Sequence, residues 1–160
     1  MNVGQMTIDA RGDREIFITR TFDASSRLVY DAMTKPELMK RWLFGPDGWE
    51  LAVCEVDLRP GGTFRYVWRH TERGSDMGMG GIFVEIDAPA KVVHKEVFDE
   101  DWTGGETVVT TLLSEVGGKT KMEMTIVYSS AEARDGALKS GMADGMEAGY
   151  ARLDRIFQDA

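Results

Sequence analysis

Residues 119–157, KTKMEMTIVYSSAEARDGALKSGMADGMEAGYARLDRIF, decide the fold. In the first ten of these residues, Met122, Met124, Ile126 and Tyr128 alternate with polar side chains, which is the period of a half-buried strand. The next four residues, SSAE, form a capping box, the signature of a helix start. Beyond them, apolar side chains recur every three or four residues, namely Leu138, Met142, Met146, Tyr150, Leu153 and Phe157. The pattern predicts a strand that leads into one long amphipathic helix.

Upstream of this stretch, runs of strand length alternate with turn residues from position 49 onward. The clearest run is 63–70, where Phe64, Tyr66 and Trp68 alternate with Arg65 and Arg69. Turn residues such as the RPGG of 59–62 separate the runs. Because the connections are short, we expect neighbouring strands to pair antiparallel. The predicted strands cover residues 49–58, 63–70, 77–86, 91–98, 106–116 and 119–128.

The part of the chain before residue 49 predicts one more strand and two short helices. Residues 14–22 place Ile16, Ile18 and Phe22 on one side of a strand. Ser25 or Ser26 can cap a helix that runs to residue 33, and the proline at 36 suits the first turn of a second helix over 37–43. Residues 1–13 have no period and are expected to be a flexible N-terminus before a single domain over 14–160. The prediction is an α+β fold with a curved antiparallel sheet of six to seven strands around the long terminal helix.

The composition and charge of the chain argue against several classes of function and location. The 160 residues carry a formal charge of −8 without a cluster of Lys or Arg, which argues against a nucleic-acid partner. The single cysteine, Cys54, cannot form an internal disulfide, and the first residues lack the apolar segment of a secretory signal. No run approaches the roughly 18 apolar residues that cross a bilayer. We expect a cytoplasmic domain with no membrane span.

Several motifs carry a resemblance to a known superfamily. They are Arg20-Thr21-Phe22-Asp23-Ala24 before the first helix, Lys35-Pro36-Glu37 with Trp42 after it, Asp57-Leu58-Arg59-Pro60-Gly61-Gly62-Thr63-Phe64, Gly81-Ile82-Phe83-Val84-Glu85-Ile86 with Pro89, and Gly141-Met142 with Gly145. On these motifs, residues 14–157 resemble the START-like (SRPBCC) superfamily and, within it, the homologues of the activator of the heat-shock-protein-90 ATPase.

The resemblance implies the helix-grip fold, in which the sheet and the long helix enclose a cavity for an apolar molecule. Members of the superfamily include lipid carriers, hormone receptors, polyketide cyclases and aromatases. The eukaryotic activator binds its chaperone through an additional amino-terminal domain, for which this chain has no room. We therefore rank a chaperone partner below a small molecule.

Three glycines, Gly141, Gly145 and Gly149, lie on one stripe of the predicted terminal helix. Each glycine costs a helix about 1 kcal/mol relative to alanine, so another interaction should compensate. One interpretation is close approach of the sheet to the helix backbone, and the other is space left for a ligand. Methionines beside the glycines could form an adaptable wall around such a ligand, and aromatic residues in the loops either plug the core or line the cavity mouth. The predicted cavity residues are Trp42, Phe44, Phe64, Tyr66, Trp68, Met79, Phe83, His94, Trp102, Met122, Met124, Gly141, Met142, Gly145, Met146, Gly149 and Tyr150.

The candidate catalytic residues are His94 and Glu96, with Glu85 on the preceding strand. His94 and Glu96 share the inward side of strand 91–98, and an imidazole beside a carboxylate can transfer protons. The alternative is a satisfied polar contact at the cavity rim. His70, His94 and Cys54 lack the paired spacing of a zinc site, and no glycine motif matches a nucleotide-binding loop. The sequence therefore predicts neither a metal nor a cofactor.

Three functional hypotheses follow. The leading one is a non-enzymatic domain that binds an apolar or aromatic small molecule, such as a lipid or a polyketide. The second is a cyclase-like or lyase-like enzyme that uses His94 with Glu96 or Glu85. The third is interaction with a heat-shock-protein-90 homologue. Homodimerisation through a sheet edge stays open under all three.

Overall fold

The computed structural model describes residues 3–4, 6–101 and 104–159. Within these ranges the chain forms eight strands and four helices. The strands are β1 (Thr7–Arg11), β2 (Glu15–Phe22), β3 (Trp49–Val56), β4 (Thr63–His70), β5 (Asp76–Asp87), β6 (Lys91–Phe98), β7 (Thr107–Val116) and β8 (Lys119–Val127). The helices are α1 (Ser26–Thr34), α2 (Pro36–Met39), α3 (Ala131–Lys139) and α4 (Met142–Gln158).

The strands form a single antiparallel sheet with the order β1-β2-β8-β7-β6-β5-β4-β3. Strands β3 to β8 follow one another as a meander, as the short turns predict. Strand β2 pairs with β8, so that Ile16 lies opposite Ile126 and Ile18 opposite Met124. The register shifts at β-bulges in β3 and β5, and such bulges bend a strand. The predicted α+β class is confirmed: the sheet is curved and unclosed, and with its C-terminal helix it has the helix-grip architecture.

One core joins the inner side of β2 and β8 to the helices. Its fully buried apolar side chains come from both strands and from α1 and α4, and they include Ile16, Ile18, Phe22, Val29, Met122 and Leu153. Burial of each such side chain contributes about 1.5 to 3 kcal/mol to folding. Helix α4 is therefore held by apolar packing along the sheet side that the strand pattern assigned to the interior.

A buried arginine also fixes α4 to the sheet. Arg20 lies among the apolar residues of β2, and its guanidinium donates to both carboxylate oxygens of Glu147 at 3.1 and 2.8 Å and to those of Asp154 at 2.9 and 2.8 Å. Burial disfavours the charged guanidinium, but the hydrogen bonds to Glu147 and Asp154 raise the pKa of Arg20 above its ordinary value. The pattern of β2 alone could not predict this clamp. The clamp also needs two carboxylates, seven residues apart, on a helix that is distant in sequence.

The strand count differs from the predicted six to seven, because β1 adds an edge strand. It lies within residues 1–13, the segment expected to be flexible, and pairs with β2. Arg134 of α3 donates to the backbone carbonyls of Arg11, Gly12 and Glu15 and so holds the β1–β2 turn. The short, mostly exposed β1 has too few apolar residues to show a strand period.

The predicted single terminal helix is wrong, because it is broken between α3 and α4. The helix start is capped, but by Ser130 rather than by the predicted box: the Ser130 hydroxyl accepts a hydrogen bond from the Ala133 N–H at 3.1 Å, which puts Ala133 and not Glu132 at the third helical position. The first helix then ends at Lys139, and Gly141 takes a left-handed φ of 82° before α4 begins. A left-handed residue cannot continue a right-handed helix, and glycine adopts this conformation at little cost. Gly141 is therefore a helix boundary rather than a helix-interior glycine.

The other helix predictions agree closely with the structure. The Ser25 hydroxyl accepts a hydrogen bond from the Leu28 N–H at 3.3 Å, so Ser25 rather than Ser26 is the cap of α1. Helix α2 begins at Pro36, one residue before the predicted range of 37–43, and ends at Met39, four residues before the predicted end.

Candidate ligand-binding cavity

A cavity of about 640 Å³ lies between the inner side of the sheet and α4. Strands β4 to β8 supply one wall, and α1, α4 and the loop of residues 42–49 supply the others. We refer to this space as the central cavity. Most of the residues predicted to surround a ligand line it: Trp42, Tyr66, Trp68, Met79, Phe83, His94, Met124, Met142, Gly145, Met146, Gly149 and Tyr150.

Four predicted residues lie elsewhere in the described part of the chain. Phe64 is buried beside the central cavity, with its ring 5.3 Å from that of His94, but does not line it. Phe44 lies in a separate open depression of the surface, and Met122 is fully buried in the core. Gly141 lies at the helix boundary and outside the cavity wall. Trp102 lies outside the described residues.

The two remaining glycines of the stripe have different surroundings. At Gly149, an added Cβ would lie 3.3 Å from Cε3 of Trp42, so the indole packs directly on the helix backbone. At Gly145, an added Cβ would meet nothing within 4 Å. Of the two interpretations of the glycine stripe, close packing therefore holds at Gly149, though against Trp42 rather than the sheet, whereas Gly145 is solvent-exposed at the edge of the cavity lining.

The loop of residues 42–49 is held in place by side chains whose donors reach its carbonyls. Arg152 of α4 donates to the Trp42 carbonyl at 3.2 Å and to the Gly45 carbonyl at 2.9 Å. The same guanidinium lies 3.9 Å from the centre of the Phe44 ring, within cation–π range. The indole of Trp68 donates to the Leu43 carbonyl at 2.9 Å. Arg152 lines the cavity but was not predicted, because its contacts depend on how the loop folds back onto α4.

His94 and Glu96 project from β6 into the central cavity. Their closest atoms, Nε2 of His94 and Oε1 of Glu96, are 3.4 Å apart, and the two side chains are 21% and 17% exposed. The His94 ring also makes edge contacts with Phe64 and Phe83. The inward parity read from the sequence thus places both groups in the cavity, with their closest atoms slightly farther apart than the range of about 2.7 to 3.2 Å for a good hydrogen bond.

Glu85 does not join this pair. It is exposed, lies outside the cavity lining, and forms an ion pair with Lys91 at 2.7 Å. The prediction for Glu85 fails because β5 carries a bulge between Phe83 and Glu85, which shifts the residues after it relative to β6.

Two tyrosines that line the cavity lie near Glu96. Burial raises the pKa of Tyr66, and the neighbouring charge of Glu96 raises it further. Burial raises the pKa of Tyr128 to about 12, and Glu96 contributes to that increase. Both hydroxyls are therefore protonated at neutral pH and able to donate. The Tyr128 hydroxyl donates to the sulfur of Met142 at 3.8 Å. Tyr128 follows the same alternation as Met124, so the strand pattern could have predicted that its side chain lines the cavity.

The described residues contain no group of three or more His, Cys, Asp or Glu side chains that could hold a metal ion. Cys54 is buried on β3, with its sulfur 3.8 Å from that of Met39. None of the described helices has the length and apolar character that a membrane crossing requires.

Comparisons with known proteins give consistent results. The family model for the Activator of Hsp90 ATPase homolog 1-like protein matches residues 23–158. Among solved structures, the chain is similar to a Rhodobacter sphaeroides protein, with 32% identity, a TM-score of 0.91, and coverage of 98% of this chain and 100% of that one. It is also similar to a Staphylococcus epidermidis protein, with 25% identity, a TM-score of 0.81, and coverage of 96% and 94%.

A more distant likeness supports the fold alone. The AHSA1-like protein from Aeromonas hydrophila is 17% identical, with a TM-score of 0.70 and coverage of 88% of this chain and 93% of that one. No curated protein matches the chain.

Proposed function

This chain belongs to the Activator of Hsp90 ATPase homolog 1-like family, and we propose that its central cavity binds an apolar or aromatic small molecule. The observation that carries the proposal is the size and lining of this cavity. Its volume of about 640 Å³ lies within the range of about 300 to 1,000 Å³ that is typical of small-molecule sites. Its wall is mainly aromatic and aliphatic, with a few polar groups that could orient a ligand.

The two sides of the cavity differ in how readily they can adapt. Trp42 and Trp68 are fixed by indole hydrogen bonds to the carbonyls of Ala32 and Leu43. Met142 and Met146 face the same space from α4, and an unbranched thioether changes conformation easily. Such a pocket can hold a flat apolar body against the aromatic side while the methionines repack around it.

A binding screen tests the proposal. Fatty alcohols, sterols, biphenyl and polyketide-like aromatics would be followed by native mass spectrometry and by thermal shift. We expect at least one class to bind with one-to-one stoichiometry and to raise the melting temperature, because a ligand that binds only the folded state stabilises it. Absence of binding by every class would overturn the proposal.

Two phenylalanine substitutions, one at the cavity and one away from it, test where a ligand binds. Gly145→Phe adds a ring at the edge of the cavity lining, whereas Gly136→Phe adds the same ring to α3 outside that lining; both glycines are exposed, and an added Cβ meets nothing within 4 Å at either. Binding should be lost or strongly weakened in the first variant and retained in the second. Equal affinity in both variants would show that ligands bind outside the central cavity.

A proton-transfer enzyme is the second candidate, favoured by the 3.4 Å approach of His94 and Glu96 at the cavity wall. Each ligand found in the screen would be incubated with the protein and with the His94→Asn variant, and then recovered for mass analysis and NMR. Conversion by the natural protein alone would support this candidate. Recovery of every ligand unchanged would count against it.

A further inference from the structure

Glu96 places a carboxylate in a cavity that is otherwise mainly apolar. Among the residues that the structure describes, none donates a hydrogen bond to it. The imidazole Nε2 of His94 is 3.4 Å from it, longer than the range of about 2.7 to 3.2 Å for a good N–H···O bond. A carboxylate can only accept, and leaving it without donors in a partly buried position costs free energy.

The two nearby hydroxyls do not supply those donors. The hydroxyl of Tyr128 donates to the sulfur of Met142, and that of Tyr66 has no hydrogen-bond partner in the described part of the chain. Both tyrosines nevertheless lie close enough to interact electrostatically with Glu96. All three residues line the same cavity.

The two permanent cations of the cavity wall are engaged by other groups. Lys91 is paired with Glu85 at 2.7 Å, and the Arg152 guanidinium is bound by two backbone carbonyls. Arg152 is also ten residues along α4 from Met142, which is about 15 Å at the helical rise. Since Met142 contacts Tyr128, the Glu96 region lies toward the opposite end of α4 from Arg152.

We propose that the ligand of the central cavity is an apolar molecule bearing a hydroxyl group, which donates a hydrogen bond to Glu96, and that the cavity rejects the corresponding carboxylate. This inference rests on the proposed function and narrows its ligand class. A hydroxyl satisfies the acceptor, whereas a ligand carboxylate would place two like charges together among mainly apolar side chains. Fatty acids are thereby excluded at neutral pH, and long-chain alcohols or phenols are favoured.

Three probes of matched shape test the inference: biphenyl, 4-phenylphenol and biphenyl-4-carboxylate, titrated at pH 7 by calorimetry and by competition. We expect 4-phenylphenol to bind about tenfold more tightly than biphenyl, because a hydrogen bond to a charged group is worth about that factor. We expect the carboxylate to bind more weakly than biphenyl.

The Glu96→Gln variant should reduce the ratio of phenol affinity to carboxylate affinity by about tenfold or more, since it removes the charge while keeping the side-chain shape. The Glu106→Gln variant removes an exposed charge whose partner, Lys95, does not line the cavity, and should leave the ratio unchanged. Circular dichroism of each variant would verify that the fold is intact.

The outcomes separate this inference from the proposed function. If biphenyl binds and the other two probes bind equally well, the cavity is an apolar site but Glu96 does not select hydroxyl groups, and only this inference fails. A Glu96→Gln variant with an unaltered ratio would overturn it as well. If none of the three probes binds, the inference fails, and so does the proposal that the cavity binds aromatic small molecules.

Discussion

Gly145 and Gly149 are separated by one helical turn, yet they are glycine for different reasons. Gly149 gives the Trp42 ring room to pack on the helix, whereas Gly145 faces open space. Glycine is unfavourable in a helix interior, so its presence has to be explained at each position separately. The regular spacing that drew attention to these residues does not reflect one shared role.

This difference predicts that alanine substitutions at the two positions change the stability of the protein differently. Gly145→Ala should stabilise the protein by about 0.5 to 1 kcal/mol, because it gains helix propensity without a steric cost. Gly149→Ala should gain less or lose stability, since its methyl group meets the Trp42 ring at 3.3 Å. Urea denaturation of both variants measures the difference, and equal stabilisation would contradict the packing assigned to Gly149.

The Arg20 clamp gives a second prediction at the residue scale. Arg20→Met should destabilise the fold by about 2 to 4 kcal/mol, because it leaves Glu147 and Asp154 facing each other without a cation. Denaturant unfolding measures this loss. The control is Arg65→Met, which removes an exposed pair with Asp99 and should cost no more than about 1 kcal/mol. Similar losses in both variants would rule out a special role for the buried clamp.

The 42–49 loop depends, at the scale of elements, on its attachment to α4. Arg152→Gln removes the cation that binds two loop carbonyls, so we expect faster amide hydrogen exchange in this loop, above all at the Trp49 N–H, which donates to the Pro46 carbonyl. Arg155→Gln, one turn further and exposed, is the control. Unchanged exchange in the Arg152 variant would mean that the Trp68 hydrogen bond alone is enough to hold the loop.

Strongly alternating strands were predictable residue by residue, whereas element boundaries set by single residues were not. The bounds predicted for β4 and β6 coincide with the structure. The break between α3 and α4 was not predicted, because Leu138 and Met142 keep the apolar spacing of a continuous helix across it. Only Gly141 marks the break, and a glycine there fitted a cavity equally well. Strand β1 gave no signal because most of its side chains are exposed.

At the scale of the whole molecule, folding buries several weak acids in their neutral forms. Burial raises the pKa of the Cys54 thiol from 9.0 to about 11 and that of Tyr128 from 10.0 to about 12. Burial also raises the pKa of Tyr66 and of Tyr150. The unfolded chain therefore releases these protons at lower pH than the folded protein does.

The sign of the resulting pH dependence follows from this difference. The stabilisation is fully present below about pH 9 and is lost as the pH rises toward the folded-state values, because the unfolded state binds fewer protons there. We expect the free energy of unfolding to fall by at least about 1 kcal/mol between pH 9 and pH 11. Urea midpoints at each pH measure it, and Cys54→Ala should make the decline shallower. A constant midpoint up to pH 11 would contradict the prediction.

The sequence supported the fold class and the inward sides of the strands, but not the arrangement around the cavity. Inward parity placed His94, Glu96 and Met124 correctly, since side chains alternate along a strand. Parity alone could not separate Phe64 and Met122, which are buried in the core, from their cavity-lining neighbours. Arg152 was missed because its partners are carbonyls of an irregular loop.

The pairing of β2 with β8 has a consequence for synthesis on the ribosome. Ile16 and its partner Ile126 are 110 positions apart. At a synthesis rate of about 5 to 20 residues per second, roughly 5 to 20 s pass between the synthesis of β2 and that of its neighbour β8. Until then the side chains of Ile16, Ile18 and Phe22, fully buried in the finished domain, lack the strand that pairs with β2.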